Sequence, residues 1–591
     1  MSMLERFLAE ARADRPVYIS DVRDAFQREG TRPFTFHAAL YDGGARRFSL
    51  RLPECAAPEE AAFVEEYLNA MLYNVLSSLG AREIRIYIDP ADAGLAAYAA
   101  GLGETFQVDA PISARSGYGK CLNVNQRVLA SLCGADARFR FTVAPLAEEP
   151  AIDAPAPAPA GAPVFAALPA RAEKGRYMGM DIGGTDIKLA ASLDGKLCAF
   201  KEYDWNPAAF TRAEQLIDPL VLLTRLMRAA VGMAAEGLAD ELPAHAFDKA
   251  APDAEVAAAV AAMEARLGDR LRGLDGIGLC FPDVVIRNRV IGGESPKTQG
   301  MRNNAALDYE AEFARITGLC DVLRDYVVPG GAVLNTNDGP MAAFTTAVEQ
   351  AAVGKNLTDG FFAHSLGTDL GTGWVLPDGA IPEIPLEVYN FIIDLGSYGQ
   401  RAYDPQDVRS VRNFGTHLPG TLQKYTGQFS VFRLAAKRLP EADPALYRRA
   451  FDEGLFAWEG ERLVVPTAPK DMRKPCLEFF MAAAEDAASP AAELFRAVGE
   501  CVAVTWRETQ FILDPTCETR TLFGRLVKTQ ACFDALCEGA RRVVPDIRLE
   551  VADETLANTP LMKQLARHPV YTVAQFAQAV GAIHYACVGN A

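Results

Sequence analysis

Twice in this chain an apolar run stops at a short glycine–threonine turn and resumes as a second apolar run. The first is Tyr177–Ala190, with Asp181 ahead of Gly183, Gly184 and Thr185. The second is Phe361–Leu376, which carries Gly367, Thr368, Asp369, Gly371, Thr372 and Gly373. Each reads as strand, tight turn, strand. Each is followed by an Asp-Gly pair, Asp194-Gly195 and Asp378-Gly379, a strong hairpin signal. Glycine has no Cβ, so backbone N–H groups at such a turn can approach a bound anion. Thr185 adds a hydroxyl, and Asp181 supplies a carboxylate at a strand end, an oxygen ligand of the kind hard cations prefer. A plain hairpin explains one such turn equally well. Two of them, about 185 residues apart, suggest two lobes that each contact phosphate.

A chain of 591 residues exceeds one domain, and 50% hydrophobic content is ample for large buried cores. The net charge of −17 argues against nucleic-acid binding as the main work, because phosphate contacts need clustered Lys and Arg. No nucleic-acid partner is expected. The opening residues Met1–Phe7 lack a basic stretch followed by an apolar one, so no signal peptide is expected. No uncharged apolar run approaches the roughly 20 residues that span a bilayer, so a cytoplasmic protein without a membrane partner is expected. The 12 cysteines include no Cys-x-x-Cys pair, and with 6 histidines a His-rich metal site is not expected.

Taken in order, residues 1–143 read as a small accessory α+β domain. Phe34–Leu40 and Arg47–Leu52 are strands around Asp42-Gly43-Gly44, Pro58–Leu79 is a helix, Glu83–Ile88 alternates like a half-buried strand, and Phe139, Phe141 and Val143 suggest a closing strand. Residues 144–172 form a Pro/Ala-rich linker. Residues 173–345 form a first lobe and 346–570 a second, with a mostly helical insertion at about 396–500. That insertion is either a packing embellishment or a lid or dimer contact. Residues 571–591 form a last helix whose Gly581-Ala582 pair allows close packing back onto the first lobe. Between the turns, Leu274–Phe281 is a buried strand ending at Pro282, and Ala332–Asn337 is an apolar strand running into Asp338, with a helix beginning near Pro340. Asp338 reads as an N-cap residue, as a general base at a strand end, or as both.

Together Asp181–Thr185, Gly276-Ile277-Gly278 with Pro282, Asn337-Asp338, and Gly367-Thr368 with Gly371-Thr372-Gly373 resemble the ROK family of sugar kinases and repressors, within the actin/hexokinase/Hsp70-like ATPase superfamily. The resemblance covers about residues 175–590. It implies an α/β, two-lobed, ribonuclease H-like ATPase fold, each lobe built on a five-stranded sheet, with ATP and sugar in the cleft. By matching position Asp181 would help hold Mg²⁺. Gly183, Gly184, Thr185 and Lys188 would serve the first phosphate site, and Gly367, Thr368, Gly371, Thr372 and Gly373 the second. Gly524, the one glycine in Arg520–Leu526, falls at the adenosine motif. Asp338 would take the proton from the sugar hydroxyl, Asn337 would hydrogen-bond the sugar, and Glu387 falls at a sugar-binding glutamate. Asn390 stands where the family has histidine, and Lys297 where an asparagine often contacts sugar. The family's cysteine cluster for zinc has no counterpart, so no zinc is expected. Asp369 stands where ROK proteins usually have glycine, a carboxylate that repels phosphate unless it is countered. The implied activity is ATP-dependent phosphorylation of a sugar hydroxyl. The alternatives are a non-catalytic sugar-sensing protein and an ATPase with a non-sugar acceptor. Dimers are common in the family, which makes a homodimer a candidate assembly.

Overall fold

The computed structural model describes residues 2–152, 164–553 and 556–589. They pack as two compact units, Met1–Ala156 with Ala363–Thr372 and Ile384–Val551, and Pro157–Phe362 with Gly373–Glu383 and Ala552–Ala591. Among the described residues no helix is long and apolar enough to cross a membrane.

At the N-terminus β1 (Arg32–Ala39) and β2 (Ala45–Leu52) pair antiparallel around the expected glycine turn. Next, β3 (Glu83–Ile88) runs antiparallel to β1, and β4 (Arg140–Pro145) parallel to β3. The expected helix spans Pro58–Ser78. Helices Met3–Arg12, Ile19–Glu29, Ala93–Thr105 and Cys121–Cys133 complete the segment. Within its unit this segment is joined to the later chain rather than standing apart. Arg23 pairs with buried Glu508, Arg507 Nη1 meets Asp21 at 2.5 Å, and Arg46 Nη1 donates to Leu513 O at 3.2 Å. Of the expected linker, residues 153–163 lie outside the described residues. Val164–Arg171 is a short helix that buries Phe165 and Leu168.

The second unit holds β5 (Arg176–Ile182), β6 (Asp186–Leu193), β7 (Lys196–Asp204), β8 (Leu274–Phe281), the short pair β9 (Val285–Ile286) and β10 (Arg289–Val290), and β11 (Val327–Asn337). Five of these form one sheet in the order β11-β8-β5-β6-β7. The middle strand of the β5–β6–β7 meander runs antiparallel to both neighbours, while β5, β8 and β11 are parallel. This is the ribonuclease H-like arrangement. Asp194 (φ 45°) and Gly195 (φ 75°) both take left-handed backbone, as the tight hairpin between β6 and β7 requires.

Strand alternation divides the sheet into two faces. Met178, Met180, Ile277, Leu279 and Val333 join Leu220, Leu223 and Met227 of helix Glu214–Ala235 in one large core. On the other face Gly179 and Gly278 leave room for the C-terminal helix Val573–Ala586. A Cβ on Gly179 would lie 1.8 Å from Ala579 O, and one on Gly278 1.9 Å from Ala582 O. On the far side of that helix, a Cβ on Gly581 would lie 1.9 Å from Thr345 Oγ1.

The remaining strands are β12 (Phe361–Leu366), β13 (Leu370–Val375), the small hairpin β14 (Ala457–Glu459) with β15 (Arg462–Val464), β16 (Arg520–Phe523) and β17 (Leu549–Val551). They give a sheet of order β13-β12-β16-β17, with β12, β16 and β17 parallel. Among the described residues this sheet has four strands, where five were expected. The chain after β13 does not return as a strand, because the N–H groups of Leu386 and Glu387 bond to Ser78 O and Ser77 O at 2.9 and 3.1 Å. From residue 428 onward the insertion is mostly helical, through Gln428–Ala442, Pro444–Asp452, Arg473–Ala483 and Pro490–Leu513, with the β14–β15 hairpin between the second and third of these.

Substituting Gly278→Ala drives a methyl group into the backbone of the C-terminal helix. It is expected to lower stability by about 2–3 kcal/mol, the cost of overpacking a closed contact. Denaturant midpoints of the two proteins measure this, and an unchanged midpoint would show that the helix is not held against the strand.

Candidate functional site

The row of residues that begins with Gly179 and Gly278 continues to Asp181 and Cys280, which stand in register on neighbouring parallel strands. On the next strand Thr336 pairs with Cys280 and Asn337 with Phe281. Asp181, Cys280 and Asp338 therefore gather at the C-terminal ends of parallel strands, where open α/β sheets bind ligands. Cys280 Sγ donates to Asp181 Oδ1 at 3.1 Å.

The turn after Asp181 is tight. Gly183 N–H closes onto Asp186 O at 2.8 Å, and Trp205 Nε1 donates to Gly183 O at 3.0 Å. A Cβ on Gly183 would meet Asp186 O at 2.7 Å, so glycine is required there. Among the described residues the N–H groups of Gly184 and Thr185 have no protein partner, and Thr185 is exposed. Lys297, on the turn Pro296–Thr298, lays its chain over this loop, with Cε 3.1 Å from where a Gly184 Cβ would stand. The loop before Lys297 is tied down by Asp283, which accepts Gly293 N–H at 2.9 Å. Arg302 Nη1 adds a bond to Ser295 O at 2.8 Å. Lys188 Nζ pairs with Asp186 Oδ1 at 2.6 Å, across the hairpin from Asp181.

Asn337, not Asp338, caps helix Asp338–Ala351, accepting Gly339 N–H on Oδ1 at 3.0 Å. Its Nδ2 donates to Asp283 O at 2.7 Å. The amide expected to hold sugar is thus occupied at both ends by protein. Asp338 accepts the same Gly339 N–H on Oδ1 at 2.8 Å.

A nearby carboxylate charge raises the pKa of another carboxylate. Burial pushes Asp181 up from its ordinary value, and the charges of Asp338 and Asp186 add to that, against the Cys280 thiol and the Lys188 ammonium. Asp338 keeps a solvent-exposed surface, yet protein crowds it on enough sides that desolvation raises its pKa, against the nearby charge of Lys297. Among the described residues no group of three or more His, Cys, Asp or Glu could hold a metal. A divalent ion here would take most of its ligands from water and substrate, as Mg²⁺ commonly does. The fit for such an ion is the crowded carboxylate of Asp181 with the charge of Asp338 acting on it, a pair of raised pKa values that a cation would lower.

In the other unit Gly367 N–H closes onto Asp369 O at 3.2 Å, and Gly367 O accepts Gln428 N–H at 2.9 Å. A Cβ on Gly427 would meet Thr368 O at 2.7 Å, so helix Gln428–Ala442 starts directly against this turn. Gly371 packs beside Ser365. Two residues assigned to this phosphate site are placed otherwise. The Thr372 hydroxyl turns into the core, 3.1 Å from Nδ1 of buried His364, whose pKa burial lowers to about 3. Gly373 serves packing, since a Cβ there would lie 2.4 Å from Gly339 O. Gly524 (φ 100°) sits against the end of β12, where a Cβ would meet Leu366 O at 2.7 Å. Glu387 is half-buried, and Asn390 is buried, its Nδ2 3.4 Å from Glu387 Oε2 and its Oδ1 accepting from Asn413 at 3.2 Å. The partners that sequence reasoning missed are Cys280, Asp186 and Asp283. Of these, Cys280 was reachable through strand alternation, which places it beside Asp181.

No protein-family model and no curated protein matches the chain. Among solved structures, a ROK family glucokinase from Streptomyces griseus in complex with glucose and AMPPNP matches at 14% identity over 70% of this chain and 99% of that one, with a TM-score of 0.35. A ROK hexokinase from Thermus thermophilus matches at 17% identity over 69% and 97%, with a TM-score of 0.36. A glucokinase from Balamuthia mandrillaris in complex with glucose matches at 12% identity over 72% and 98%, with a TM-score of 0.38. Likeness this distant assigns no role to any residue.

Because folding raises the Asp181 pKa, the ionised group destabilises the ligand-free protein. The stability that Asp181 contributes is fully present below the unfolded carboxylate pKa and is lost as pH rises through the folded value. Asp181→Asn is expected to melt above wild type at pH 7.5, with the gap closing toward pH of about 4, near the ordinary Asp value. Calorimetric melts at the two pH values decide it, and a variant that melts lower at pH 7.5 removes the electrostatic account.

Proposed function

We propose that the protein is a ROK-type sugar kinase, an ATP-dependent phosphotransferase with Asp338 as general base. The observation that carries this reading is the meeting of Asp181 and Asp338 at the ends of parallel strands, beside a glycine turn with two unpartnered N–H groups and the Lys297 chain lying over it. In the reaction the sugar O–H bond breaks as its oxygen bonds to the terminal phosphorus, and the bond from that phosphorus to the departing ADP breaks. Asp338 takes the proton. Gly339 N–H holds one carboxylate oxygen at 2.8 Å and so fixes its direction. A raised pKa makes this carboxylate a stronger base than an ordinary one.

The N–H groups of Gly184 and Thr185 and the ammonium of Lys297 are proposed to hold phosphoryl oxygens, work that is mostly positioning and charge neutralisation. Mg²⁺, when bound near Asp181, supplies further neutralisation of phosphate charge. The turn Gly367–Asp369 and Gly524 are proposed contacts for the nucleotide, and Glu387 for the sugar. With Asn337 held by Gly339 and Asp283, its proposed role is to fix Asp338 at the helix start.

ADP release with MgATP across hexoses, hexosamines and N-acetylated sugars tests the reading. Sugar-dependent release is expected, and Asp338→Asn is expected to cut turnover by about 10²–10⁴ fold. Near-normal turnover in that variant would falsify the base assignment. Thermal stabilisation by a sugar without any ADP release would favour the sugar-sensing alternative.

The same geometry sets a pH dependence. Only ionised Asp338 accepts a proton, so kcat/KM is expected to fall on the acid side with a midpoint above the usual carboxylate range. The charge of Lys297 holds that pKa down, so Lys297→Met is expected to move the acid limb to higher pH. An acid limb that stays in place in this variant separates Lys297 from Asp338.

A further inference from the structure

The last carbonyls of a helix have no partner inside it. At the end of helix Pro58–Ser78 they are met by the loop that carries Glu387. Leu386 N–H bonds to Ser78 O at 2.9 Å, and Glu387 N–H to Ser77 O at 3.1 Å. One turn earlier on the same helix, fully buried Asn74 donates through Nδ2 to Ile392 O at 3.0 Å. Its Oδ1 accepts Ile392 N–H at 2.8 Å. One helix thus grips the loop on both sides of Glu387.

The loop needs that grip. Leu386 has φ of 54°, a left-handed backbone that costs a residue with a side chain and persists only where its surroundings hold it. Between the two anchors lies the single turn Val388–Asn390, which contains one of the groups beside Glu387, the Asn390 amide. The charge of Glu387 also reaches half-buried Tyr389 and buried Tyr73, the latter on the gripping helix. A rotation of this helix end would therefore carry the glutamate with it.

We propose that Asn74 is a positioning residue for substrate. By fixing Ile392 while the helix end fixes Leu386 and Glu387, it sets the direction in which Glu387 meets the sugar, and it makes the N-terminal segment part of the substrate site. This rests on the kinase reading, in which Glu387 is a sugar contact. The side chain of Asn74 touches no substrate and acts through backbone alone.

The full-length protein tests this with Asn74→Ala, compared with Asn69→Ala. Asn69 lies on the same helix and is also buried, but its partner is Tyr98, whose hydroxyl donates to Asn69 Oδ1 at 3.2 Å. In Asn74→Ala the amides of Leu386, Glu387 and Ile392 are expected to exchange with deuterium faster than in wild type. The sugar KM, and the sugar Kd by calorimetry, are expected to rise about ten- to a hundredfold, the cost of a contact moved out of register. KM for MgATP and kcat at saturating sugar are expected to stay within about twofold, since only a sugar contact has moved. Asn69→Ala is expected to lose thermal stability with no change in sugar KM. Wild-type sugar affinity in Asn74→Ala, or an equal loss in Asn69→Ala, overturns the positioning role. A wild-type protein that neither binds nor turns over any sugar overturns the kinase reading itself, and this inference with it. The two failures are told apart by whether wild type binds sugar.

Discussion

One close approach governs the unit that holds Asp181 and Asp338, that of the C-terminal helix to strands β5 and β8 at Gly179 and Gly278. Helix carbonyls at Ala579 and Ala582 occupy the space where side chains would be. This contact fills the face of the sheet opposite the large core with a segment about 400 residues further along the chain. It also places the site. The residues next in the same strand rows, Asp181 and Cys280, emerge beyond the glycines, and Cys280 Sγ reaches Gln578 of that helix at 3.7 Å. Glycine register and carboxylate position are two readings of one alternation.

The other unit is organised around buried polar groups, which must be satisfied to be tolerated. The Asp394 carboxylate accepts Val17 N–H at 2.7 Å and Gly396 N–H at 2.8 Å, and it also receives the Tyr425 hydroxyl. Burial still raises its pKa, with those donors pulling the other way. Arg23 is held by Glu508 and lies 4.2 Å from the centre of the Phe511 ring. Phe511 in turn packs on Phe48 of β2 at 5.6 Å. The Arg23 and Phe48 contacts join residues more than 450 positions apart, so the N-terminal segment packs against helix Pro490–Leu513. The Pro/Ala-rich stretch marked a change of unit in the sequence. It did not show that the chain before it would pair with the chain hundreds of residues after it.

What the sequence made legible follows from local physics. Alternation located β3, a buried run ending at Pro282 located β8, the Asp194-Gly195 pair located the β6–β7 hairpin, and small residues marked the helix contact at Gly581. Helix Met3–Arg12 was legible too, through its capping box of Ser2 and Glu5, but went unread. Thr372 shows how a motif misleads. Leu370, Thr372 and Trp374 share one buried face of β13, so its hydroxyl faces His364 and not the turn. Lys297 was assigned by position to sugar, while its chain lies over Gly184, a contact no local pattern encodes. The missing fifth strand is of the same kind. The Glu387 loop bonds to a helix from the N-terminal segment, which only the folded chain brings there.

Asp369 shows how a departure from pattern is balanced. A carboxylate in a turn proposed to face phosphate is costly unless positive charge meets it. The inserted segment supplies that charge through three groups. Helix Gln428–Ala442 begins against the turn, so its positive dipole end faces it. Asp369 acts on Arg473, which Asp471 holds first, and on buried Lys424. Lys424 has its Nζ 2.8 Å from Pro405 O and 4.0 Å from the centre of the Phe414 ring, and burial lowers its pKa to about 7. At neutral pH such an amine is only partly charged, and an anion brought close would draw a proton onto it. The acidic residue and the insertion therefore form one electrostatic unit. Pro405 O holds the lysine and Asp471 the arginine, and the insertion that carries both makes the aspartate tolerable there.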